Sequence, residues 1–180
     1  NPLILKGSLV INGSSSFRAD SLTVSIAGNL TNLNSDAGTG INTGGYRPGS
    51  FRQVTIFNGA AGNQYLTGTG TNITNFANLV ITNSYPGGQV SLQTNTDVRV
   101  NSDLTLSYGI LYDGGNIMTV AGDIYNSATH TSESSSSGRL LLAGANVQTI
   151  SGNGSGKFGN LYLNASYDVR MIENTEITGV

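Results

Sequence analysis

The residues able to do chemistry are few, and five of them sit in two long polar runs. Residues 34–50 carry Asp36, Tyr46 and Arg47, and residues 127–138 carry His130 and Glu133. A tyrosine beside an arginine can stack on a sugar or pair with a carboxylate. These five residues are therefore the candidate ligand-binding set. His130 is the single histidine, which excludes a two-histidine metal site and a His-Glu-x-x-His motif. Its neighbours, Ser127 to Gly138, are polar and predict a solvated loop residue. Gly152-Asn153-Gly154-Ser155-Gly156-Lys157 lacks the first glycine of a phosphate-binding loop and ends in Phe158, so it reads as a turn. The acids form no Asp-x-Asp cluster, and Glu173 and Glu176 are close only in sequence. The expectation is a non-enzyme with no cofactor and no metal.

The elements that must position these residues are β-strands. Only 10% of the 180 residues are charged, where an ordinary globular chain has about 25%. Gly, Ser, Thr and Asn fill the gap, and they are poor helix formers and good turn formers. The net charge is −2 and the arginines are scattered, which argues against a nucleic-acid footprint. No apolar run approaches the roughly 20 residues of a membrane span. There is no Cys, so neither disulfides nor thiolate metal sites are available. Few charges, much Asn and Thr and no Cys together predict an exported protein. The opening Asn1-Pro2, without Met, predicts a processed product or an excerpt of a longer chain.

Apolar residues alternate in very short runs such as Val54-Thr55-Ile56, Val98-Arg99-Val100 and Leu104-Thr105-Leu106. Alternation of period two sends one side chain inward and the next outward. Larger blocks also return. Ile26-Ala27-Gly28-Asn29-Leu30 recurs as Val120-Ala121-Gly122-Asp123-Ile124, and Gln64-Tyr65-Leu66 as Gln148-Thr149-Ile150. Phe76-Ala77-Asn78-Leu79 recurs as Phe158-Gly159-Asn160-Leu161, and Val90-Ser91-Leu92 as Val169-Arg170-Met171. The order is kept while the offset falls from 94 residues (26 to 120) to 79 residues (90 to 169). Residues 1–180 thus read as one repeat domain, with imperfect copies at 26–106 and 120–180 and the tail of a preceding copy at 1–25.

Two all-β architectures give such spacing, an antiparallel β-sandwich and a parallel β-helix (β-solenoid). The strands are short, the unit drifts in length, and two-residue hairpin turns are few, with Asn12-Gly13, Asn58-Gly59 and Asp113-Gly114 the obvious ones. These features favour the parallel β-helix and leave the sandwich as runner-up. Asn at equivalent places, Asn78 with Asn160 and Asn95 with Asn174, suits corners where stacked amides bond from coil to coil. On this reading the runs 34–50 and 127–138 follow the same strand in successive copies and emerge on one side, one above the other.

The string Phe57-Asn58-Gly59, Asn63-Gln64-x-Leu66-x-Gly68, Phe76-x-Asn78-Leu79-x-Ile81, Val98-x-Val100 and Leu104-Thr105-Leu106 with Gly109 resembles a degenerate repeat. That repeat occurs in large secreted and cell-surface adhesin-like proteins of Bacteroidetes-type bacteria exported by the gliding-associated (type IX) route. The likeness covers nearly the whole chain, although the second copy has Ala143-Gly144 where the first has Phe-Asn-Gly. It implies a structural or adhesive segment at the bacterial surface, a stiff shaft or filament subunit that displays loops. Its partners would be further repeats or like subunits at the open ends, and surface glycans. The alternatives are a carbohydrate-binding or polysaccharide-cleaving β-helix and, from the Thr faces (Thr94, Thr96, Thr105, Thr119), a crystal-binding surface.

Overall fold

The computed structural model describes residues 2–133 and 137–179. Among them there is no helix, and parallel strands stack as a β-solenoid of about 8 turns. Each turn of chain lays down one short strand on each of three sides, here called faces I, II and III. Face I is an eight-stranded sheet of Leu3–Leu5, Thr23–Ile26, Val54–Phe57, Asn78–Thr82, Leu104–Tyr108, Ile124–Asn126, Gln148–Gly152 and Val169–Met171. Face II is a second eight-stranded sheet that begins at Leu9–Ile11 and includes Gln64–Thr67, Gln89–Leu92, Ile110–Tyr112 and Thr129–Thr131. Face III is divided. Phe17–Arg18 pairs with Tyr46–Arg47, and Thr74–Phe76, Val98–Val100, Ile117–Val120, Arg139–Leu142 and Leu161–Leu163 form a five-stranded sheet.

The short alternating runs become strands because each can bury one row of side chains only by stacking on its neighbours. The inward column of face I shows it. Leu3, Val24, Thr55, Leu79, Leu104, Ile124, Ile150 and Met171 are register partners in succession. Val24, Leu79, Leu104 and Ile124 are buried, each such side chain stabilising the fold by roughly 1.5–3 kcal/mol. Thr55 breaks the aliphatic column for a stated reason: its hydroxyl bonds the buried Tyr46 hydroxyl at 2.7 Å and shares Gln53 with it. Tyr46 in turn packs between Phe17 and Phe76, with ring centroids 5.5 and 5.2 Å away.

The returning sequence blocks do not return to the same face. Ile26 lies on face I and Val120 on face III; Gln64 lies on face II and Gln148 on face I; Val90 lies on face II and Val169 on face I. Every matched block is rotated by one side of the triangle. The likeness is nevertheless physical, because the blocks do the same job at different corners. Gln64 accepts the Gly59 amide and donates to the Ile26 and Gly28 carbonyls. Gln148 accepts the Gly144 amide and donates to the Val120 and Gly122 carbonyls. Asn29 receives the amide of Tyr65, and Asp123 receives that of Thr149. The sequence repeat is a corner motif that any corner can use.

Candidate functional site

The corner from face II to face III is the most elaborate of the three. Its described residues are 33–45, 68–73, 93–97, 113–116, 132–133 and 137–138, in five successive coils. A column of amides and hydroxyls holds it together. Asn34 donates to Ser15 O at 2.7 Å, and Asn72 donates to the carbonyls of Asn32 and Asn34. Thr96 receives the Gly68 amide, and its own amide reaches Asn116 Oδ1 at 2.6 Å. Asn116 then donates to Gln93 O and Asp113 O. These groups are buried, so each bond satisfies a donor or acceptor that would otherwise be costly to leave alone.

Both long polar runs feed this corner, yet they are not adjacent. Residues 33–45 and 132–138 belong to coils four apart, which puts them roughly 19 Å from each other at the usual strand spacing. Three plain turns separate them. The five sequence candidates therefore do not converge on one point. Asp36 closes its own loop, accepting the amides of Gly38 at 3.0 Å and Gly44 at 2.9 Å, with Arg47 at 3.6 Å. The two amides first, and Arg47 after them, hold its carboxyl below the usual range. Arg47 also donates to Gly44 O.

Two candidates need correction. Tyr46 is not a surface ring: it is a fully buried strand residue, and burial pushes its hydroxyl up to about 12. Its ring packs between Phe17 and Phe76 in the core, so it has no free face for a sugar. His130 is not a solvated loop residue. The run 127–138 contains a strand, Thr129–Thr131, and the middle position of that strand points inward beside Leu111. His130 is buried, with Nε2 3.3 Å from the equally buried Asp113 carboxylate. Burial alone would raise the Asp113 carboxyl. His130, Ser132 and the amides of Gly115 and Glu133 outweigh that and lower it. Glu133 accepts a hydrogen bond from the Tyr112 hydroxyl, whose ionisation is pushed up mainly by that bond.

Between the two runs lies a groove that the sequence candidates do not include. Its corner part, about 220 Å³, is lined by Asn72, Asn95, Asp97, Asn116 and Ile117 and is closed at one end by Ser137. Its face III part, about 170 Å³, is lined by Ile73, Arg99, Ile117, Thr119 and Leu141 and is closed at the other end by Thr39. Asp97 and Ile117 belong to both parts. The two insertions are thus walls, and the outward side chains of face III are the floor. A signal for it exists in the sequence: Arg99 stands at the outward position of an otherwise aliphatic strand. Among the described residues, no three of His, Cys, Asp and Glu are grouped so as to hold a metal ion. No helix there is long and apolar enough to cross a membrane.

Comparison with known proteins yields no matching family model, curated protein or solved structure.

Proposed function

We propose that the chain is a structural and adhesive segment of an extracellular bacterial surface protein or filament, a stiff shaft that carries loops on one corner. The observation that supports this most directly is the use made of its carboxylates. Asp97 accepts the Ile117 amide, Asp103 that of Asp123, and Asp123 that of Thr149. These acids tie one coil to the next, which suits a rod that resists bending and shear. Further repeats or like subunits are proposed to stack where Leu163, Met171 and Ile177 expose apolar surface beside strands paired on one side only. The test is to label intact cells of the source organism with an antibody raised against this segment. Labelling without permeabilisation is expected, and signal only after lysis would overturn the reading.

A second reading, carbohydrate binding, is favoured by the groove between the two walls. Its polar corner and apolar floor are the pairing that sugar hydroxyls and ring faces require.

A further inference from the structure

The arginines divide sharply between the faces. On face I the strands from Leu3–Leu5 to Gln148–Gly152 contain no charged residue. Four of the chain's six arginines, Arg18, Arg47, Arg99 and Arg139, lie in strands of face III. Two of these are neutralised: Arg18 meets Asp20 at 2.5 Å and Arg47 meets Asp36 at 3.6 Å. Among the described residues Arg99 and Arg139 have no carboxylate in ion-pair range. Arg99 is held by Asn101 Oδ1 at 3.1 Å. Arg139 donates to Ser137 O and lies 5.0 Å from the ring centroid of the exposed Tyr162. Arg139 also leaves its Nε buried without a partner.

We infer that the groove of face III is a binding site for a linear acidic oligosaccharide, with one uronate carboxylate on Arg99 in the groove and another on Arg139, beside its Leu141 end. This inference rests on the carbohydrate-binding reading and adds the charge of the ligand. Register places Arg99 beside Thr119, and Ile117 beside Arg139. Arg99 and Arg139 therefore stand on strands two apart, roughly 10 Å across the ladder and offset along it, with Ile117 and Thr119 on the strand between; the Arg139 guanidinium turns onward, over Tyr162. Leu141 and then Tyr162 continue the row. Apolar side chains between the two arginines and an exposed ring beyond Arg139 suit a chain that alternates a hydrophobic ring face with a carboxylate, while Asp97, the acid in the groove lining, accepts the Ile117 amide. Asn95, exposed at the corner, supplies an amide for hydroxyls.

A peptide fits the same surface less well. The backbone amides and carbonyls of an inner strand already pair with the coils above and below. An extended peptide lying across the face would find no main-chain partners there, which removes the usual source of affinity in strand addition.

The test is calorimetric titration of the intact chain with a galacturonate hexamer, its fully methyl-esterified form and a neutral glucan hexamer. Binding to the acidic hexamer alone is expected, weakening as salt is raised. Arg99→Gln and Arg139→Gln should each weaken it about tenfold or more, while Arg52→Gln, outside face III, leaves it unchanged. Circular dichroism establishes that each variant is folded. On the unaltered chain, amide shift changes should map to Thr39, Ile117, Thr119 and Leu141 and not to face I, which keeps the test decisive if a variant fails to fold. Equal binding of neutral and acidic hexamers would overturn the acidic assignment and leave the carbohydrate reading standing. Binding to none of the three would overturn both.

Discussion

Faces I and III are built from the same coils by the same alternation, yet they look outward very differently. Face I is an unbroken ladder of eight strands with no charge on seven of them. Face III is split into two sheets, carries four arginines and is flanked by both long insertions. The inward half of each face is mostly aliphatic and, away from the ends, buried. In a solenoid the core therefore constrains only every second side chain of each strand, and the other half is free to be plain on one face and specialised on another. Corners differ in the same way. The corner from face I to face II can be as short as Gly109 alone. That residue has φ +84°, and a β-carbon on it would lie 2.7 Å from Asn83 O. The corner from face II to face III holds, at its longest, the loop of residues 33–45.

If the inward half carries stability and the outward half function, the largest effect should come from truncation within the face I column. Leu104→Ala removes a fully buried side chain between Leu79 and Ile124 and should cost about 3 kcal/mol. The matching change in the groove floor, Leu141→Ala, should cost under about 1 kcal/mol, because that side chain is already part exposed. Denaturant unfolding of both variants checks the contrast. Equal losses would show that the outward floor of face III is as much core as the inside.

The corner glutamines come next. Gln148→Leu keeps the volume but leaves the Gly144 amide and the Val120 and Gly122 carbonyls without their partner. Orphaned buried groups cost roughly 1–3 kcal/mol each at most, so a total loss of about 3 kcal/mol is expected. Gln64→Leu should come close to it, since Gln64 makes the same three bonds at a different corner and accepts one more from Asn83. A large difference between the two, measured by thermal melts, would break the equivalence of the corners.

Asp113 sharpens the comparison through pH. Its folded carboxyl lies below the ordinary value of 3.8. The stabilisation from His130 and the two amides is therefore present in full well above that value and is lost as pH falls through the lower folded value. Asp113→Asn should lower stability by roughly 1–3 kcal/mol at neutral pH. The gap between the native chain and the variant should close on acidification below pH 3.8. Melting curves of both proteins from neutral pH downward read this directly. A gap that persists in acid would mean that Asp113 acts through packing.

The strands and their stacking were legible because period-two alternation and corner residues are local properties. Leu104-Thr105-Leu106 can do little else than send two leucines one way. Phase around the triangle was not legible. Ala27-Gly28-Asn29 and Ala121-Gly122-Asp123 make the same bonds, so identical corner chemistry hides which corner is meant. The fate of single polar residues was also hidden. His130 sits between two threonines in a polar run, and its burial follows from pairing with Ile110–Tyr112 nineteen residues earlier and from the distant Asp113, neither of which local composition reports. Tyr46 likewise turns inward only because Phe17 and Phe76 wait there. The groove showed only as an arginine at an outward strand position, because its floor is assembled from side chains of several coils.

The smallest expected effect separates two contributions inside the first wall. Asp36 is held chiefly by the amides of Gly38 and Gly44 and only secondarily by Arg47. Exposed ion pairs contribute little in water, so Arg47→Gln should leave the loop closed. Its readout is amide hydrogen exchange at Gly38 and Gly44, with protection expected to stay close to the native level. Asp36→Ala should abolish protection at both amides. Because the Asp36 carboxyl lies below its ordinary value of 3.8, protection in the native chain should persist down to that pH and fall only beneath it. If Arg47→Gln opened the loop as Asp36→Ala does, the arginine would be the wall's true fastening. The division of face III into two neutralised and two unneutralised arginines would then mark structure against binding more strictly than the amide bonds suggest.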